Sequence, residues 1–127
     1  MSWQVDGRPE CAFTVAGDHA ISRSSPEESV FVTATTASGG HNLIILLHSY
    51  TGPLTGTHIC ARDACSESVT VELAYDGRFA TECTISIDTA GSPGVNLTGS
   101  FSASIPLAPG QVAEITNGLL DAPVAGP

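Results

Sequence analysis

The sequence predicts an all-β fold: a single antiparallel β-sandwich or small closed barrel of about seven to eight strands. Three observations point there. Short stretches rich in Val, Ile, Thr, Phe and Tyr recur along the chain, several of them alternate apolar and polar residues, and glycine- or proline-bearing turns separate them. No stretch carries the 3.6-residue period of an amphipathic helix.

The expected strands follow in order. Cys11–Ala16 (CAFTVA) is the first, with Cys11, Phe13 and Val15 sharing one face. Ser29–Thr36 (SVFVTATT) is β-branched and bounded by Ser24-Ser25-Pro26-Glu27-Glu28 and Ser38-Gly39-Gly40. Asn42–Ser49 (NLIILLHS) is apolar on both faces between Leu43 and Leu47. Such a strand is either central and covered twice, or it offers Ile44 and Leu46 to a partner chain. Ser68–Tyr75 alternates, with Val69, Val71, Leu73 and Tyr75 on one side. Asp76-Gly77 then supplies the positive φ angles of a type I′ hairpin turn. Glu82–Thr89 directs Cys83, Ile85 and Ile87 inward, and Val95–Ile105 does the same with Val95, Leu97, Phe101, Ala103 and Ile105. Ala108-Pro109-Gly110 turns the chain into Gln111–Thr116. One domain is expected over residues 1–120, with residues 121–127 as an extended tail.

Composition narrows the function classes. The 127 residues hold 13 acidic side chains against four arginines and no lysine, a formal charge of −9. That excess repels phosphate and anionic headgroups, so neither nucleic acid nor a membrane surface is an expected partner. Without lysine there is no Walker-type phosphate lysine and no Schiff base. Apolar residues make up 42% and charged ones 13%, the balance of a chain that fills a core. No apolar run approaches the length of a membrane-spanning helix. The first residues, Met1-Ser2-Trp3-Gln4-Val5, have neither a basic nor an apolar region, so they are not read as a signal peptide. Either a leader has been removed or the protein stays in the cytoplasm.

Four cysteines, Cys11, Cys60, Cys65 and Cys83, favour the first setting, because an even count in a short chain suits two disulfides in an oxidising compartment. Cys11 and Cys83 are both expected to face the core, and Cys60 and Cys65 flank the short loop Ala61-Arg62-Asp63-Ala64. Of the three pairings, the strand pattern favours Cys11–Cys83 with Cys60–Cys65, worth roughly 4 and roughly 2 kcal/mol in the loop-entropy picture. A zinc site from His58, Cys60, Cys65 and Cys83 is the rival, but its spacing is not a recognised paired pattern. No metal or cofactor is expected. His41 and His48 face opposite sheet surfaces, Ser100 and Ser102 lie on the outer side of a regular strand, and no Gly-x-Ser-x-Gly elbow is present. No catalytic residue is expected.

Leu97-Thr98-Gly99-Ser100-Phe101-Ser102-Ala103-Ser104-Ile105, followed by Ile115-Thr116-Asn117-Gly118-Leu119-Leu120-Asp121, resembles the closing pattern of an uncharacterised family of small bacterial β-sandwich domains. Leu54-Thr55-Gly56-Thr57-His58-Ile59 and Trp3-Gln4-Val5-Asp6-Gly7 resemble that family's mid-chain and opening segments, with Leu120 standing where the family has an aromatic. The resemblance covers about a third of the chain. It implies a β-sandwich fold and an exported or lipid-anchored setting, and it carries no catalytic residues.

The function expected from these readings is non-enzymatic: an exported bacterial binding or assembly module that meets a protein partner, or its own copies, through a sheet face or edge. Two alternatives come from other classes. One is a leaderless component of a larger cytoplasmic particle, such as a shell or phage-tail-like assembly. The other is a small hydrolase whose site is built from loop residues such as His19, His58 and Asp63.

Overall fold

The computed structural model describes residues 1–36, 40–60 and 69–125. Its ten strands are β1 (Ser2–Val5), β2 (Arg8–Ile21), β3 (Glu28–Thr36), β4 (Asn42–Ser49), β5 (Gly56–Cys60), β6 (Val69–Tyr75), β7 (Arg78–Phe79), β8 (Glu82–Thr89), β9 (Leu97–Ala108) and β10 (Gln111–Ala122). All adjacent strands run antiparallel, in the order β5-β8-β9-β10-β1-β2-β3-β4-β6-β7. The fold is therefore all-β, with ten strands among the described residues where seven or eight were expected. The additional ones are the short β1, β5 and β7, whose lengths of four, five and two residues give little periodicity to read.

The hydrogen-bonded order does not close into a barrel. Instead the sheet folds over, and residues from both halves share one core that includes Trp3, Val30, Ile45, Leu73, Ile85, Leu97, Ile105 and Ile115. β2 belongs to both halves: Arg8–Cys11 pair with β1 and Ala12–Ile21 pair with β3. The β7 end of the sheet approaches β9, with the Thr81 amide, just past β7, donating to the Ser104 carbonyl at 3.1 Å and Arg78 Nη1 donating to the Leu107 carbonyl.

Side-chain phase is set locally. Asp6 (φ 49°) and Gly7 (φ 81°) form a tight turn like that at Asp76 (φ 50°) and Gly77 (φ 78°). Counting outward from the first turn places Trp3 opposite Glu10. Trp3 is the large buried ring, so Glu10 points inward and Cys11, one residue on, points to solvent. A bulge between Ala12 and Thr14 then shifts the phase, leaving Phe13 80% exposed and turning Val15, Gly17 and His19 toward the interior. The expected inward trio Cys11, Phe13 and Val15 is thus split.

This corrects the disulfide pairing. Cys83 bonds to Cys60, not Cys11, because β5 lies against β8 with these two residues directly opposite and their Cα atoms 4.9 Å apart. Cys11 is free and exposed. Cys60 is consequently not joined to Cys65, which lies outside the described residues. Val95, expected inward, precedes β9 and is exposed. At the other end β10 continues through Ala122, and the chain then runs beside β2. There the Gly17 amide donates to the Pro123 carbonyl at 3.0 Å, and a Cβ at Gly17 would meet that same oxygen at 3.0 Å. Residues 121–125, read from sequence as part of an arm, are packed here with Ala122 and Val124 buried.

Candidate functional site

Two neighbouring features stand out, and the β6–β7 hairpin carries both. The first is the outer face of β3, β4, β6 and β7. The inward set Val30, Val32, Leu43, Ile45, Leu47 and Leu73 is buried. Alternation therefore sends Phe31, Ile44, Leu46, Glu72 and Ala74 to the opposite face. Register aligns them in two cross-strand rows, Asp18–Phe31–Leu46–Glu72 and Ala16–Thr33–Ile44–Ala74–Phe79. Phe31 and Phe79, 41% and 62% exposed, flank the half-buried Ile44 and Leu46 and border an apolar depression of about 230 Å³. Ile44 and Leu46 are the two residues that the sequence left open between burial and partner contact. They lie on the outer face.

The second feature is a polar network at the end of the fold where the Asp6-Gly7 and Asp76-Gly77 turns gather, in a depression of about 430 Å³. Glu10 Oε1 accepts from the Trp3 indole at 2.9 Å and from the Tyr75 hydroxyl at 2.6 Å. His41 stacks on Tyr75, with ring centroids 5.5 Å apart. Its Nδ1 lies 2.6 Å from Asp76 Oδ2, and Asp76 Oδ1 accepts the Asn42 amide at 2.9 Å. His41 Nε2 lies 3.8 Å from Glu10 Oε2.

The electrostatics follow from that placement. The hydrogen bond to Asp76 raises the His41 pKa above its ordinary value, and the charges of Asp76 and Glu10 reinforce the effect against a smaller opposing effect of burial. Burial, followed by the bond to Glu10 and its charge, raises the Tyr75 pKa far above the usual phenol range. The two carboxylates favour the protonated imidazole, whose Nδ1 then donates to Asp76 while Nε2 faces Glu10 beyond hydrogen-bond distance. The network thus ties the start of β4 to the β6–β7 turn and to Glu10 of β2, which fixes the hairpin that presents Phe79 beside Ile44.

The other residues weighed from sequence serve local structure. His19 contacts the Gly91 carbonyl and Glu28 Oε1, each at 2.7 Å, and His58 Nε2 lies 2.7 Å from the Leu54 carbonyl. Asp63 lies outside the described residues. Asp6 Oδ1 accepts the Glu114 amide at 2.8 Å, so that carboxylate caps backbone. Among the described residues no group of three or more His, Cys, Asp or Glu side chains is placed to hold a metal, and no helix is long and apolar enough to cross a membrane. The Trp3–Glu10–Tyr75 network went unread in the sequence, although the Asp6-Gly7 dipeptide was the signal that would have paired Trp3 with Glu10.

No family model, no curated protein and no solved structure matches this chain.

Proposed function

We propose that this protein is a non-enzymatic binding or assembly module of the bacterial cell exterior, meeting a protein partner through the outer face of β3, β4, β6 and β7. One observation carries the reading: Phe31, Ile44, Leu46 and Phe79, with the buried Ala74 between Ile44 and Phe79, form a contiguous apolar surface where an exposed sheet face is ordinarily polar. Two aromatic rings beside a branched aliphatic floor are the composition of an interface centre. The Cys60–Cys83 bond supports an oxidising compartment, and the resemblance to exported bacterial domains agrees with it.

A hydrolase is the second reading, favoured by the His41–Asp76 contact at the edge of a depression. Against it stand the two carboxylates flanking that imidazole, which favour its protonated form over the base form, and the lack of a serine, threonine or cysteine among the described residues lining the depression, where the one hydroxyl, that of Tyr75, is engaged by Glu10.

The test places a photo-crosslinking amino acid at position 44 in the producing cell, with position 102 on the opposite half as control. The reading expects a discrete adduct from position 44, lost on Leu46→Asp, and none from position 102. Equal yields from both positions, or none from position 44, would overturn it.

A further inference from the structure

We infer that the occupant of the apolar face is a cationic extended segment of another protein, with basic residues at positions i and i+4 and an apolar residue at i+2. This deepens the interface reading and rests on it.

Charge and spacing carry the inference. Asp18 and Glu72 end the row whose middle is Phe31 and Leu46, and both are exposed. Among the described residues neither carboxylate has an ion-pair or hydrogen-bond partner, and neither row of this face contains an arginine. The surface is therefore apolar at its centre and negative at both ends. Three inter-strand steps of about 4.8 Å separate the carboxylates by about 14 Å. In an extended chain, residues i and i+4 share a face about 13 Å apart with i+2 between them. A segment crossing these strands near the right angle of orthogonal sheet packing sets its two cations on Asp18 and Glu72 and its apolar residue on Phe31 and Leu46. A second copy of this chain is a poor occupant, because it brings a formal charge of −9 of its own.

The probe is a synthetic peptide, Thr-Lys-Thr-Phe-Thr-Lys-Thr with blocked ends, compared with its glutamate-for-lysine counterpart by NMR titration to millimolar concentration at low and high salt. The lysine peptide is expected to shift resonances of Phe31, Ile44 and Leu46 and to bind several-fold tighter than the glutamate peptide. Asp18→Lys or Glu72→Lys should each weaken it about threefold or more, and high salt should weaken it similarly. Equal binding of both peptides, abolished by Ile44→Asp, overturns the charge selection and leaves the interface reading standing. No binding of the lysine peptide at millimolar concentration overturns the inference, and the crosslink from position 44 then judges the interface separately. Sedimentation showing salt-promoted dimers that Ile44→Asp dissolves would make a second copy the occupant and overturn the inference as well.

Discussion

Glu10 is the residue whose removal the structure penalises most specifically. One carboxylate oxygen accepts from two donors, the indole N–H of Trp3 at 2.9 Å and the hydroxyl of Tyr75 at 2.6 Å, so it joins β1, β2 and β6. Trp3 is 1% exposed, and in Glu10→Ala its N–H loses the acceptor that stands between it and the depression. A buried donor left unpaired costs about 1–3 kcal/mol, and bonds to a charged acceptor lie at the upper end. Tyr75 lies nearer the mouth of the depression and can be rewetted, so its share is about 1 kcal/mol. The sum for Glu10→Ala is about 3–4 kcal/mol, a large part of the 5–15 kcal/mol of a typical domain. Glu10→Gln keeps an acceptor for both donors and loses only the charge, so it should cost about 1 kcal/mol. Urea unfolding reads this directly, because Trp3 is the sole tryptophan and reports on its own site. A loss below about 1 kcal/mol in Glu10→Ala, or equal losses in the two variants, would refute the shared-acceptor account.

Other perturbations have equally definite outcomes. The folded-state pKa of His41 is raised, so its contribution is complete below the unfolded value near 6.5 and disappears as pH rises through the folded value. Stability measured across that window should fall with pH in the native protein and fall less in His41→Asn. Tyr75 also has a raised pKa, so from about pH 10 upward the unfolded chain sheds a proton that the folded one keeps, and stability declines. Tyr75→Phe should flatten that alkaline decline. Cys60 and Cys83 are separated by 23 residues, and Cys83→Ser should cost about 3 kcal/mol on loop entropy. Iodoacetamide on the native, unreduced protein should label Cys11, with labelled peptides read by mass spectrometry. Gly99→Ala would drive a methyl group into the Ser86 carbonyl, a backbone atom of the paired strand that cannot step aside, and should lower stability by more than 3 kcal/mol or prevent folding, on the order of a severe overpacking.

Much of the sheet was legible because several strands obey their period without interruption. β4 and β8 span Asn42–Ser49 and Glu82–Thr89, the bounds expected of them, and Asp76-Gly77 adopts the positive φ angles expected of it. The disulfide was misread because two non-local facts governed it. A one-residue bulge at Phe13 left no trace in the alternation of Cys11–Ala16, and β5 was too short to announce that Cys60 would lie opposite Cys83. Local proximity of Cys60 to Cys65 was the visible cue, and strand pairing outweighed it. Ile44 and Leu46 were found as candidates because Leu43–Leu47 is apolar at every position, but only their neighbours decide their role. Phe31 and Phe79 come from two other strands, and register alone sets them beside that pair. The polar network combines a short-range part that hairpin counting reaches, Trp3 with Glu10, and a long-range part, Tyr75 and His41, that awaits the folding over of the sheet.

The pairing of β1 with β10 has a mechanical consequence. Ser2 lies opposite Leu119 and Val5 opposite Ile115, so the first strand starts near the pole where the last one finishes. Traction applied through both termini would first peel residues 123–125 from Gly17 of β2 and then open that ladder like a zip, one rung at a time, instead of loading all its rungs together in shear. The domain would therefore yield to low tension if strung in series between two neighbours, and would resist far better when held by one terminus and gripped at its side.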